Sequence, residues 1–326
     1  MRPRLPRSTD HLPSFAGATQ WLNTEPLVPT DLRGNVVLVG FWTYTCINWL
    51  RQLPYLRAWA EKYADDGLVV IGVHTPEFPF EREIENVRRE TETRNIEYPV
   101  AIDSNYAVWD AFANRYWPAL YFADADGAIR HDHFGEGAYE QSERVIQELL
   151  VEAGGADVDH DLVAVNAGGA EAPADWDSLR SAETYVGYDR ADNFASPEGA
   201  VVNERRAYST PARLPLNRWA LSGEWTIRRG AAALEEAGGG IAFRFHSRDV
   251  HLVMGPAHHE PVRFRVLLDG EAPRASHGVD TDENGDGIAS EQRLHQLVRQ
   301  QGRIDDHTLT VSFVDPGVEV YAFTFG

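Results

Sequence analysis

Two hydrophobic periodicities divide this chain. From Asn35 the pattern alternates between continuous apolar runs and stripes at helical spacing. NVVLVGFW (35–42) is an unbroken β-branched and aromatic run, the pattern of a strand buried on both faces. Cys46 to Asp65 then reads as a helix, with Trp49, Leu53, Leu56, Ala60 and Tyr63 on one stripe before Gly67 stops it. LVVIGV (68–73) predicts a second buried strand, and FEREIENVRRETETR (80–94) a charged surface helix. YPVAID (98–103) predicts a short strand and NYAVWDAFAN (105–114) a helix. Residues 119–135 predict a hairpin around an Asp-Gly turn, and residues 138–154 a closing helix that ends at glycine. This succession predicts a mixed sheet with helices on both faces. Residues 1–34, polar and punctuated by proline, read as an extended arm with short strands.

From about residue 155 the pattern changes. Residues 155–180 are rich in Gly, Ala and Asp and read as a linker. Beyond 181 come short alternating strands, WALSGEWTIRR, GIAFRFHSRDVHLVMGP, PVRFRVLLDG and HTLTVSFVDPGVEVYAFTFG, with turn residues between them. That pattern predicts an antiparallel β-sandwich. The expected organisation is therefore one α/β domain over 1–154, a linker over 155–180 and an all-β domain over 181–326. No repeat of fixed period is visible.

Length and composition narrow the picture. A chain of 326 residues with 43% hydrophobic positions suits two folded domains. No run approaches the roughly 20 apolar residues of a membrane span. MRPRLPRSTDHLPSF is basic but lacks the apolar core of a signal peptide, so a cytoplasmic location is expected. The net charge of −20, with Lys62 the only lysine, argues against nucleic acid as a partner. One cysteine excludes an internal disulfide, so thiol chemistry must run through Cys46 and an outside partner.

Cys46 follows a buried strand and begins a helix. Unpaired amides and the dipole of a first helical turn stabilise a thiolate, the nucleophilic form. A lone cysteine is otherwise a small buried hydrophobe. VVLVGFWTYTCINW, followed by Pro54, resembles the active-site region of the TlpA-like thioredoxin family, and more closely the thioredoxin-like part of DipZ-type proteins, whose motif reads WTYTCINC. The resemblance continues through GLVVIGVHTPEF (67–78) and WPALYFADADGAIRHDHFGEG (117–137). It extends to ETYVGYDRADNFASP (183–197), RLHQLVRQ (293–300) and the final VDPGVEVYAFTFG. It implies a thioredoxin-like α/β domain followed by a jelly-roll-like β-sandwich related to carbohydrate-binding modules. It also implies Cys46 as the attacking thiol, a cis Pro118 facing it, no required cofactor, and a disulfide-containing protein or small thiol as partner.

Two departures matter. The membrane-embedded electron-delivery domain of full DipZ-type proteins is not in this sequence. And Trp49 stands where the family has its resolving cysteine, so Cys46 can attack a disulfide but needs help to release its partner. Position 49 shares the inward stripe with Leu53 and Leu56, which explains how a tryptophan fits. Three functions are compatible: a monothiol oxidoreductase resolved by an external thiol, a one-cysteine peroxidase working through a sulfenic acid, and a non-catalytic binding protein. Thr43, three residues before Cys46, is arranged as in peroxiredoxins. However, Val39 stands where they have proline, and no arginine enters at Ala119, the nearest being Arg115. His74 ends the second strand at the same sheet edge and is a candidate to tune the thiolate, with a structural role as the alternative. Glu77 is a second candidate. Trp42 and Tyr44 are expected to shape the groove beside the sulfur, and Trp117 to gate the pocket or simply to pack.

Outside this region, VDTDENGDGIASE places Asp280, Asp282, Asn284, Asp286 and Glu291 at calcium-ligand spacing, with Gly285 at the tight turn. A structural calcium ion is one reading; an acidic turn capping a helix over 290–300 is the other. HDH (131–133) and HHE (258–260) lack further ligands at metal-site spacing and read as surface. Tyr188, Tyr208, Trp219 and Trp225 are candidates to stack on a carbohydrate, or to form core.

Overall fold

The structure, a computed structural model, describes residues 11–326. The basic stretch before His11 lies outside the described residues. The chain forms two compact units that divide between Ala167 and Gly168.

The first unit is built on a six-stranded sheet. Its elements in chain order are β1 (Gln20–Leu22), β2 (Val36–Trp42), α1 (Ile47–Lys62), β3 (Leu68–His74), α2 (Ile84–Thr93), β4 (Val100–Ile102), α3 (Ala107–Ala111), β5 (Ala119–Ala123), β6 (Ile129–Phe134) and α4 (Tyr139–Glu152). The strand order is β1-β4-β3-β2-β5-β6. Strands β2, β3 and β4 run parallel; β1, β5 and β6 are antiparallel to their neighbours. Every residue of β2 is buried, as a central strand with two covered faces requires. Its alternate side chains serve different layers. Val37, Val39 and Phe41 join Phe15, Val108 and Phe112 on one face. On the other, Gly40 lies against Leu56 of α1, and Trp42 stacks on Trp49.

Three elements differ from their sequence pattern. The stripe of α1 and its C-cap includes Trp49, Leu53, Leu56 and Tyr63 as expected, but the fully buried residue of its fourth turn is Trp59, while Ala60 is half-buried. The charged helix expected over 80–94 is a 3-10 turn (Pro79–Arg82) followed by α2, and Glu81 and Glu90 within it are buried rather than on a surface face. The N-terminal arm is part of the fold: β1 pairs with β4, Phe15 is core, and the Asn23 side chain donates to the carbonyls of Ile96 and Tyr98.

The second unit is almost entirely antiparallel sheet. Its strands are β7 (Thr184–Tyr185), β8 (Arg205–Tyr208), β9 (Trp219–Ile227), β10 (Ala232–Leu234), β11 (Gly240–Phe245), β12 (Asp249–Pro256), β13 (Val262–Leu268), β14 (Asp286–Ala289), β15 (Arg293–Arg299), β16 (His307–Phe313) and β17 (Val318–Phe325). The main path runs β14-β13-β16-β11-β9-β10-β17-β12-β15. Strand β9 is the corner. Its residues 219–222 pair with β11, its residues 225–227 pair with β10, and Gly223 between them takes a φ of +89°. That positive φ suits glycine and lets one strand serve two sheet halves. The halves face each other: Phe243 of β11 lies 4.9 Å from Phe323 and 5.0 Å from Phe325 of β17, although those strands are not hydrogen-bonded neighbours. The sheet thus curls over its own core as a half-barrel. The segment 293–299 is strand β15, so no helix follows the acidic loop.

The stretch 155–180 is divided in its attachments. Lys62 pairs with Asp159, and Val163 N–H donates to the buried Glu143 carboxylate. Further on, Arg299 donates to the Gly169 carbonyl and Arg248 to that of Pro173.

Candidate functional site

The parallel strands β2 and β3 end side by side, with Trp42 opposite His74. The turn Thr43-Tyr44-Thr45 leaves β2 and delivers Cys46 to the N-cap of α1. There the Cys46 carbonyl accepts the first helical hydrogen bond from Leu50 N–H at 3.0 Å. Cys46 is half-buried, while Thr43 and Thr45 before it are buried. Across the sheet, Phe41 pairs with Ala119, which brings Pro118 level with the end of β2. The Trp117–Pro118 peptide bond is cis. Pro118 is itself buried, and Trp117 stands half-exposed beside it, its indole N–H donating to the Thr75 carbonyl at 3.1 Å.

Beneath the turn lies an aromatic stack. Trp49, three residues along the helix from Cys46, is 1% exposed and stacks on Trp42 with ring centroids 4.2 Å apart. Trp42 meets His74 edge-on at 4.8 Å, and His74 lies parallel to Tyr44 at 5.8 Å. Gly72 makes the room: a Cβ there would sit 2.8 Å from Trp42 Nε1. Trp49 therefore fills the place of a second thiol with packed core.

His74 is fully buried, and neither ring nitrogen has a hydrogen-bond partner. Burial pushes its pKa down to about 3, and its own backbone offsets only part of the lost hydration of an imidazolium. It stays neutral at physiological pH and fills space between Trp42 and Tyr44. The candidate Glu77 donates its backbone N–H to the Glu81 carboxylate at 2.5 Å, and its charge acts on that carboxylate. Tyr44 is buried, and its phenol is held well above its ordinary value, first by burial and then by the charges of Glu81 and Glu90.

Sequence reasoning passed over Glu81. Its side chain is 1% exposed; one carboxylate oxygen accepts from the Thr45 hydroxyl at 2.6 Å, the other from the N–H groups of Glu77 and Phe78. Burial raises its pKa to about 7, against the opposing pull of the hydroxyls of Thr43 and Thr45. A signal was available. Pro79 at the first position of a helical turn and an acid two residues later is half of a capping box, in which the acid reaches back to the amide before the proline. A second buried group, Arg51, ties α1 to the turn before α4 through Glu136 at 2.9 Å.

The acidic loop of the second unit does not gather its ligands. Asp280 accepts from Arg293 at 2.6 Å and from Gln296 N–H, and Asp286 pairs with Arg265 at 2.6 Å. Asp282 accepts from the amides of Asn284 and Asp286. Among the described residues no three His, Cys, Asp or Glu side chains converge as a metal site. Gly285 does take the positive φ of a tight turn, +86°, and the turn leads through β14 into strand β15. Of the four aromatic candidates for carbohydrate, Tyr208, Trp219 and Trp225 are core, and only Tyr188 is exposed.

Comparison with known proteins agrees with this geometry. Residues 9–132 match the AhpC/TSA family and residues 181–326 the "Thioredoxin like C-terminal domain" family. Protein DipZ of Mycobacterium bovis is 34% identical over 96% of this chain. The chain is a homologue of DipZ. Its first unit is thioredoxin-like, and the proteins it resembles include thiol-disulfide oxidoreductases. It spans 42% of the length of the M. bovis DipZ protein. The thiol-disulfide oxidoreductase YkuV of Bacillus subtilis is 28% identical over 43% of this chain and 95% of its own length. Among solved structures, a thioredoxin-like protein in its oxidized form aligns with 29% identity over 44% of this chain and 96% of its own, with a TM-score of 0.41. This chain has a single cysteine, Cys46. Among the described residues no helix is long and apolar enough to cross a membrane.

Proposed function

We propose that this protein is a monothiol thiol-disulfide oxidoreductase. Cys46 thiolate attacks one sulfur of a disulfide; a Cys46–S–S–R bond forms and the other sulfur leaves as a thiolate. A second, external thiolate then attacks the R sulfur, and Cys46 leaves as thiolate. The observation that carries this reading is the pairing of Cys46 at the α1 N-cap with Trp49 locked in the core three residues on. The first feature favours a nucleophile; the second leaves resolution to another molecule. Partners are a disulfide-containing protein or a small thiol, and a reducing compartment such as the cytoplasm is the setting proposed. The burial of Tyr208, Trp219 and Trp225 supports a packing or docking role for the β domain over carbohydrate stacking.

The test is intact-mass spectrometry after glutathione-disulfide treatment. The expected result is one glutathione adduct on Cys46, removed by added thiol. Sulfenic acid forming faster than the adduct would favour the peroxidase reading. Labelling only in denaturant would leave a binding protein.

A further inference from the structure

Glu81 connects two loops that leave neighbouring strands at one sheet edge. The loop after β2 carries Thr45 and Cys46; the loop after β3 carries Glu77 and Phe78. One carboxylate accepts hydrogen bonds from both, through Thr45 Oγ1 at 2.6 Å and the two amides at 2.5 and 2.8 Å. Thr45 is the residue immediately before the nucleophile and is itself 2% exposed. Nothing in a surface role requires a carboxylate here, since a buried one costs several kcal/mol of lost hydration before its partners offset it.

We propose that Glu81 is a positioning residue of the Cys46 site: through Thr45 it holds the turn that presents the sulfur, and its charge restrains the nucleophile when it is ionised. The inference rests on Cys46 acting as a nucleophile. An ionised Glu81 matches the three donors around it and is the form that grips the turn. Its charge also sits on the partner of Thr45, the residue before Cys46, and a like charge near a thiolate disfavours that thiolate. Protonation relieves that repulsion. The groups facing this region are few. Glu77 adds negative charge from the same loop, and Tyr44 of the turn after β2 and His74 of β3 are neutral neighbours. Arg89 and Glu90 act on Tyr44 from α2 with opposite signs. Arg82, Asp103 and Glu77 all act on Tyr106, whose hydroxyl donates to the Pro76 carbonyl. Burial brings Glu81 up to about 7.

The test is the rate of Cys46 carboxamidomethylation by iodoacetamide against pH, on the full chain. In the wild type the profile is expected to show a second inflection near neutrality in addition to the thiol's own ionisation. Glu81→Gln is expected to remove that inflection and to raise the rate at pH 8 roughly three- to tenfold, the usual effect of one neighbouring charge. Thr45→Val breaks the link without touching the acid and is expected to move the inflection upward, because Glu81 loses a donor to its ionised form. Thr45→Ser keeps the hydroxyl and is expected to restore the wild-type profile. If Glu81→Gln does not fold, the Thr45 pair decides. Profiles of Glu81→Gln and Thr45→Val that overlay the wild type would overturn the inference. A wild-type sulfur inert at every pH would instead sink the oxidoreductase reading itself.

Discussion

Two ionisable side chains are buried beneath the same turn, and they answer burial in opposite ways. His74 ends β3 with both ring nitrogens unpartnered and is pushed down to about 3. Glu81 sits one loop further on, takes three hydrogen bonds and is pushed up to about 7. Desolvation penalises the charged form of each, so both move toward neutrality. For histidine that direction leads away from physiological pH; for a carboxylate it leads into it. The residue type with the familiar neutral-range value is therefore silent here, and the acid becomes the group that titrates.

The largest effect expected from disturbing this arrangement comes from the aromatic wall behind His74. Trp49→Ala removes the ring stacked on Trp42 and should cost about 3–5 kcal/mol in chemical unfolding. A loss under 1 kcal/mol would mean that the stack is loose and that His74 is not confined as described. Next is the pH dependence of stability due to Glu81. Its folded pKa lies above its unfolded value, so its contribution is complete below pH 4.5 and is lost as pH rises through about 7. Relative to the wild type, Glu81→Gln should therefore gain stability from pH 5 to pH 8, by up to an order of 3 kcal/mol. Parallel unfolding curves at both pH values would break the comparison.

His74 carries the opposite sign. Its folded pKa lies below its unfolded value, so its contribution is complete above 6.5 and is lost as pH falls toward about 3. His74→Gln should gain on the wild type between pH 6.5 and pH 5 by roughly 2 kcal/mol. The same variant should leave the alkylation profile between pH 6 and 9 unchanged. The smallest effect is expected at the exposed acidic loop. Millimolar calcium should leave the thermal midpoint unmoved, because Asp280 and Asp286 are already held by Arg293 and Arg265. A clear upward shift would show that those arginines give way to an ion.

Much of the first domain could be read from the chain. The β-branched run before Trp42, the helical stripe after Cys46 and the Asp-Gly turn each carry a local periodicity that survives folding, because strand and helix geometry set it. Pro118 was legible only through resemblance, since an X-Pro bond announces no isomer by itself. Glu81 was hidden in a stretch of alternating charges that reads as a solvated face. What buried it was the 3-10 turn at Pro79–Arg82, which swings the acid inward. In the second domain the long strands were visible. The segment 293–299 was mistaken for a helix because Leu294, Leu297 and Val298 fit helical spacing as well as strand spacing, and only its pairing with β12 selects strand.

The sequence alone determined that there is one thiol and that a tryptophan, not a second cysteine, stands three residues beyond it. These are matters of covalent identity and short-range spacing, and no fold can alter them. Which groups share the thiol's surroundings was decided by tertiary structure. Glu81 lies 35 positions from Cys46 along the chain, and its charge state depends on which donors and how little water the packed loops leave it.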